Sequence, residues 1–322
     1  MRLDWARLTL RLSQFELIAF GGFVSLFIAL TVGAATWIDS LRPPAECLTG
    51  SFGEPVAVGA IMGRCEALNN AWYSAQNGPA SLSFGLLLFL SFAAALFLGV
   101  PIVAREIERG TSRLAWSLAP SRMRWFVSRM VPILVVVAVL TYVAGIATDR
   151  FVAAVQPNDD LANSFTMFGF RGLLIASRAV FIFSVAVLVG AIVARALPAV
   201  ILTAVIATIG LAGGERVHQM ILEREAVAIP VNQETGGTKL GDMYIDQKFV
   251  LPDGTLVGWQ YFNGESNGPY DDQGNPKYPM VAIVIPGERF RFVETREAVA
   301  LAAGSLVALL LAGFVVSRRR AG

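Results

Sequence analysis

The sequence predicts an all-α polytopic membrane protein of six transmembrane helices, with a small α+β extracytoplasmic domain between helices 5 and 6. Three observations carry that prediction. The 322-residue chain is 55% hydrophobic and only 16% charged, and its mean hydropathy of +0.60 is too high for an ordinary soluble domain. A spanning helix needs roughly 20 apolar residues, and charge-free runs of that order occur at Leu17–Trp37, Ser81–Ala104, Met130–Thr148, Ala196–Gly214 and Ala298–Ser317. A sixth run, Gly172–Ala194, is interrupted only by Arg178. Finally, residues 215–296 are the only stretch polar enough to build a water-soluble fold.

Residues 1–16 carry Trp5, Leu8, Leu12 and Phe15 at helical spacing, with Arg7 and Arg11 beside the stripe. That pattern predicts an interfacial helix leading into the first span. The small residues Gly33-Ala34-Ala35 admit a signal-peptide reading, but the apolar run exceeds a usual signal core. Transmembrane helices 1–5 occupy 17–214. The outer loop 38–80 holds both cysteines, Cys47 and Cys65. On an oxidising side they form a disulfide; two free thiols are the alternative.

The second span places Phe89, Phe92 and Leu96 on one helical stripe between Gly85 and Gly99. Such a stripe lines a path for an apolar substrate or serves as a helix-packing seam. After it comes the only long polar segment between two strongly apolar runs, residues 105–125. Gly110 breaks the helix that Arg105–Arg109 extends. Thr111 or Ser112 then caps a short helix that Pro120 ends, and Ser121 caps the next span.

The third loop, 149–171, contains the turn signal Pro157-Asn-Asp-Asp160. Arg178 lies nearly two turns inside the fourth span, where an arginine costs roughly 2.5–3.5 kcal/mol unless it snorkels. Snorkelling is the default expectation, with an ion pair or substrate contact as the alternative. Arg195-Ala-Leu-Pro198 is a tight turn into the fifth span. Within 215–296, residues Glu215–Ala226 read as helix, Lys248–Trp259 as a hairpin around Pro252-Asp253-Gly254, and Tyr278–Ile285 as a strand. The last segment, 297–322, is helix 6 with a basic cytoplasmic tail. Glu297 stands at its outer end, two turns from Arg289, and is expected to be paired and to anchor the outer domain with Arg289 and Phe290.

Charge placement sets the orientation. With six spans both termini share one side, which collects thirteen arginines against four acids, a net +9; the other side carries −7, and the chain +2. Basic residues near span ends mark the cytoplasmic side. The chain is therefore read as a multi-pass plasma-membrane protein with both termini cytoplasmic and the lipid bilayer as its solvent.

Several chemistries are excluded. No Gly-x-x-x-x-Gly-Lys-[Ser/Thr] loop is present, so the chain does not bind ATP in the P-loop manner. The single histidine, His218, offers neither a metal site nor a triad, and Asp271-Asp272 lacks the spacing of a calcium loop. No basic tail is long enough to suggest nucleic acid. The chain reads as no enzyme, with no metal site and no cofactor of its own.

Arg105-Glu106-x-Glu108-x-Gly110-Thr111, with Arg113-Leu114-Ala115-Trp116 and Arg124-Trp125, resembles the cytoplasmic coupling segment of type-2 ABC transporter permeases, most closely single-domain actinobacterial members. Pro286-x-x-Arg289-Phe290 followed by Glu297 is similar to those members as well. Arg291, Glu294 and Ser117-Leu118-Ala119 depart from their usual residues, which leaves the substrate open. The resemblance implies the transmembrane subunit of an ABC exporter for an apolar or amphipathic cargo such as a lipid, an antibiotic or a metabolite. It implies a second permease chain and an ATP-binding subunit that holds ATP and Mg. Leu114 and Trp116 would fill a cleft in that subunit, with Glu106, Glu108 and Arg113 at its rim. A different class is a membrane sensor or scaffold whose outer domain binds a ligand without transport; it needs no ATPase docking segment.

Overall fold

The computed structural model describes residues 9–44, 47, 60–77, 79–111, 121–231, 239, 241–263, 268–271, 273 and 276–319, with the side chains of 60–62, 79–85 and 88 left aside. Among these residues, six helices are long and apolar enough to cross a membrane. The helices are α1 (Gln14–Ser40), α2 (Ala60–Asn77), α3 (Pro79–Ala94), α4 (Arg122–Val155), α5 (Gly172–Val193), α6 (Ala196–Glu225) and α7 (Phe290–Arg318). The span begun by α3 continues through two π-helical segments, Ala95–Gly99 and Pro101–Arg105, to a last turn, Glu106–Glu108. Pro101 opens the second π segment. A proline lacks the N–H that an α turn would use there, and the wider turn absorbs the loss.

Helix α5 is the centre of the bundle, packed against α4, α6, α7 and the second span. Its run of small and branched residues explains this role, because Ala179, Ala186 and Gly190 let neighbours approach while Ile182, Phe183 and Val187 fill the space between. A close approach is at Gly99, where an added Cβ would stand 2.6 Å from the Cβ of Ala186. Gly99→Val is therefore expected to cost about 1–3 kcal/mol by overpacking. A lower thermal midpoint of the purified protein is the check; an unchanged midpoint would show that the seam yields.

Ser121 caps α4, its Oγ accepting from the Arg124 N–H at 3.1 Å. Gly110 ends the second span with φ of 72°, a left-handed conformation that suits glycine. Thr111 follows that turn, and its hydroxyl donates back to the Glu106 carbonyl at 3.3 Å. The short helix expected to follow it, residues 112–120, lies outside the described residues. Arg195 is extended between α5 and α6, and Pro198 sits in the first turn of α6, where no helical N–H is required.

Beyond α6 the chain forms a four-stranded antiparallel sheet of order β1-β4-β2-β3, from β1 (Val227–Pro230), β2 (Met243–Val250), β3 (Leu256–Val257) and β4 (Met280–Ile285). The hairpin expected around Pro252-Asp253-Gly254 is present, with Phe249 opposite Val257. The Thr255 N–H donates to Asp253 Oδ1 at 2.9 Å and holds that carboxyl below its ordinary range. Phe249, Phe262, Trp259, Tyr270 and Tyr278 form an aromatic cluster in this region, of which Phe249 and Phe262 are buried.

The sheet region is smaller than 215–296. The fifth span does not stop at Gly214, and Glu215–Glu225 are its final turns. No proline follows the two glycines, and the residues beyond them are good helix formers. Leu222 then reaches a core shared with Phe165, Ile285, Phe290 and Val293. Residues 290–296 likewise belong to α7, and Asp149 lies within α4, not in the following loop.

Cys47 and Cys65 are joined in a disulfide 18 residues apart. The nearby Trp72 packs with Ala35, Ile38, Phe151 and Ala154. Closing a loop of that length contributes about 3 kcal/mol through chain entropy. Cys47→Ser with Cys65→Ser should lose stability of that order under non-reducing conditions, and equal midpoints for the two proteins would contradict it.

Candidate coupling site

The residues singled out at 105–111 stand at one end of the bundle, where polar contacts gather the ends of all six spans. Arg105 Nη1 meets Glu16 Oε1 of α1 at 2.8 Å. Glu106 pairs with Arg129 of α4, a buried guanidinium that also lies 5.4 Å above the Trp125 ring. Glu108 Oε2 accepts from the Ala196 N–H at 2.9 Å. That N–H opens α6, and Arg195 provides no side-chain cap. Glu108 thus caps a helix from which it is distant in sequence, placing its charge at the positive end of the helix dipole.

Two more ties complete the set among the described residues. Arg122 donates to the Ser317 carbonyl at 3.4 Å and to the Arg319 carbonyl, joining α4 to α7. Arg319 donates to the Ala191 carbonyl of α5 at 2.6 Å, satisfying one of the carbonyls a helix end leaves open. The turn 106–108 therefore connects directly to α4 and α6, and Arg105 connects it to α1.

Glu106 and Glu108 were expected at the rim of a partner's cleft; Glu106 is partly buried against Arg129, while Glu108 is exposed and holds the Ala196 N–H. Trp125, expected at the docking surface, is buried; Arg124 and Gly110 are exposed. Arg113, Leu114 and Trp116 fall outside the described residues. Beside the ties lies a cavity of about 720 Å³, with Arg11, Arg105, Arg109, Arg129, Glu16 and Glu106 among its lining residues.

On the second span, Phe89 and Leu96 are largely exposed on the outside of the chain, while Phe92 packs against the small-residue seam of α5 and α6. These three do not share one internal passage within a single chain.

At the opposite end, Glu297 is paired as expected, and its partner is Arg178. Arg178 Nη2 meets Glu297 Oε1 at 2.8 Å, and its Nη1 donates to the Gly169 carbonyl at 3.0 Å. Arg178 therefore does not snorkel. A buried guanidinium gains more from a carboxylate already inside the bundle than from a partial exit. His218 Nε2 stands 3.8 Å from Glu297 Oε2, and its ring stacks on Phe168. Arg289 instead donates to the Glu225 carbonyl at 3.3 Å. Phe290 is buried between Phe165, Phe168 and the Arg171 guanidinium, 4.9 Å from its ring.

Sequence reasoning passed over Glu16 and Arg129 as partners, and for Arg178 it named an ion pair only as the alternative to snorkelling. For Arg178 the available signal was chemical: it is the one charge in an otherwise apolar run, which in a membrane calls for a counter-charge.

Six helices long and apolar enough to cross a membrane, tied at both ends by ion pairs and backbone contacts, define a polytopic membrane protein. Residues 17–213 match the model of the ABC-2 membrane transporter related family, and the chain belongs to that family. No curated protein and no solved structure matches the chain.

Proposed function

We propose that this chain is the transmembrane permease subunit of an ATP-driven exporter, and that the segment 105–125 is where a separate ATP-binding subunit takes hold. The observation that supports this most is the turn 106–108. It grips α4 through Glu106–Arg129 and α6 through the Ala196 N–H, while Arg105 grips α1. A push on this segment reaches three spans directly, without passing through flexible loops.

The arginines at this end of the bundle support a cytoplasmic orientation for it, where ATP is found, and on this reading the sheet region lies outside. ATP and Mg belong to the partner, since this chain has no phosphate loop. A second permease chain would complete the path, because Phe89 and Leu96 face outward from a single copy. An apolar or amphipathic cargo moving out of the cytoplasm or inner leaflet fits such walls. The docking contacts on this reading come from Leu114, Trp116 and Arg113, with Glu106 and Glu108 holding the segment in place behind them.

The test combines Trp116→Ala, which removes apolar docking area, with Glu108→Arg, which puts a cation at the positive end of α6. Copurification of the ATP-binding subunit and substrate-stimulated ATP turnover in reconstituted membranes should both be lost, with the spans still inserted. A double variant that keeps both activities would sink the proposal.

A further inference from the structure

The arginine-lined cavity holds chemistry that coupling does not use. Of its four arginines, Arg105 and Arg129 are neutralised by Glu16 and Glu106. Arg11 and Arg109 form no ion pair among the described residues, and both are exposed at the cavity. The site thus keeps an excess of two positive charges, one from the helical residues 9–12 before α1 and one from the end of the second span. Its floor is apolar, formed by Phe97, Leu98, Ile102 and Trp125. At about 720 Å³, it falls within the range of small-molecule pockets.

We propose that this cavity binds the headgroup of an anionic, phosphate-bearing membrane lipid, held by Arg11 and Arg109. Guanidinium groups match phosphate oxygens bidentately, and Arg11 and Arg109 line one cavity from two different helices. The apolar surface says that the ligand has a tail, since a free inorganic anion would make no use of it. Leu12 and Phe15 line the cavity, and with Ile18 they recur every third residue, all three largely exposed. Phe15 and Ile18 share one side of α1, and Leu12 lies just before the break at Ser13. They form an apolar ridge running from the cavity along α1, where an acyl chain would lie. The bound lipid would bridge α1 and the end of the second span, beside the Arg105–Glu16 tie.

The experiment is native mass spectrometry of the full chain in a neutral detergent, titrated separately with phosphatidylglycerol and with phosphatidylcholine. Phosphatidylglycerol should be retained about tenfold more tightly, equivalent to about 1.4 kcal/mol. Arg11→Gln with Arg109→Gln should abolish the preference, and Arg11→Lys with Arg109→Lys should keep most of it. Neither arginine has an ion pair to lose among the described residues, so the double variant should stay folded; its thermal midpoint is the control. Equal retention of the two lipids, or a preference that survives the glutamine pair, overturns the proposal. Displacement of the lipid by inorganic phosphate at the same concentration overturns it in favour of a simple anion site. No ATP-binding subunit enters the assay, so this result stands or falls separately from the coupling reading.

Discussion

Glu297→Ala is expected to destabilise the purified protein by about 3–5 kcal/mol, the scale of leaving one member of a buried ion pair alone. Arg178 and Glu297 are both mostly buried, and the alanine leaves the guanidinium facing Phe170, Gly169 and an uncompensated apolar interior. Glu297→Gln should lose less, because an amide oxygen still accepts a hydrogen bond. The joint replacement Arg178→Met with Glu297→Leu should recover most of the loss, since well-packed apolar pairs often replace a buried ion pair without cost. Thermal midpoints in one detergent rank the four proteins. If Glu297→Ala melts with the wild type, the pair does not join α5 to α7 in the way described.

Glu106→Gln is expected to lower substrate-stimulated ATP turnover at least about tenfold, while the ATP-binding subunit still copurifies. A tenfold loss needs only about 1.4 kcal/mol, and the disrupted contact is a carboxylate with a guanidinium buried under Trp125. Copurification should persist because Glu106 faces the bundle and not the partner. The reciprocal exchange, Glu106→Arg with Arg129→Glu, should restore part of the turnover. Simultaneous loss of copurification in Glu106→Gln would place Glu106 at the docking surface after all, and full turnover would remove it from the transmission.

Much of the fold could be read from the chain, and the reasons differ by element. The spans declare themselves because a membrane demands long apolar runs, and five of them contain no charge at all. The hairpin at Pro252-Asp253-Gly254 was legible because its turn chemistry is local. The end of α6 was not: Gly213-Gly214 and the polar residues after them resemble a boundary, and only the burial of Leu222 beneath the sheet explains why the helix runs on. Arg178 and Glu297 are 119 residues apart, and nothing local in either signals the other. Glu108 was legible as a polar residue in a basic segment, but its partner is a main-chain N–H, which has no letter in a sequence. Gly110 was legible because a left-handed helix end has a strong preference for glycine.

The ties at the end of the bundle that carries residues 105–111 also bear on how this chain can drift in evolution. Two of the five join side chain to side chain, Arg105 with Glu16 and Glu106 with Arg129. In those pairs a change on one side can be answered by a change on the other, so related sequences should show the two positions varying together. Glu108, Arg122 and Arg319 end on backbone atoms of Ala196, Ser317 and Ala191. Their partners cannot mutate in the relevant sense, and no second-site exchange of charge can rescue them. Each of the three is constrained alone. A method that searches for correlated positions will recover the contacts of Glu16 and Arg129 and overlook the capping of α6, although both hold the same turn.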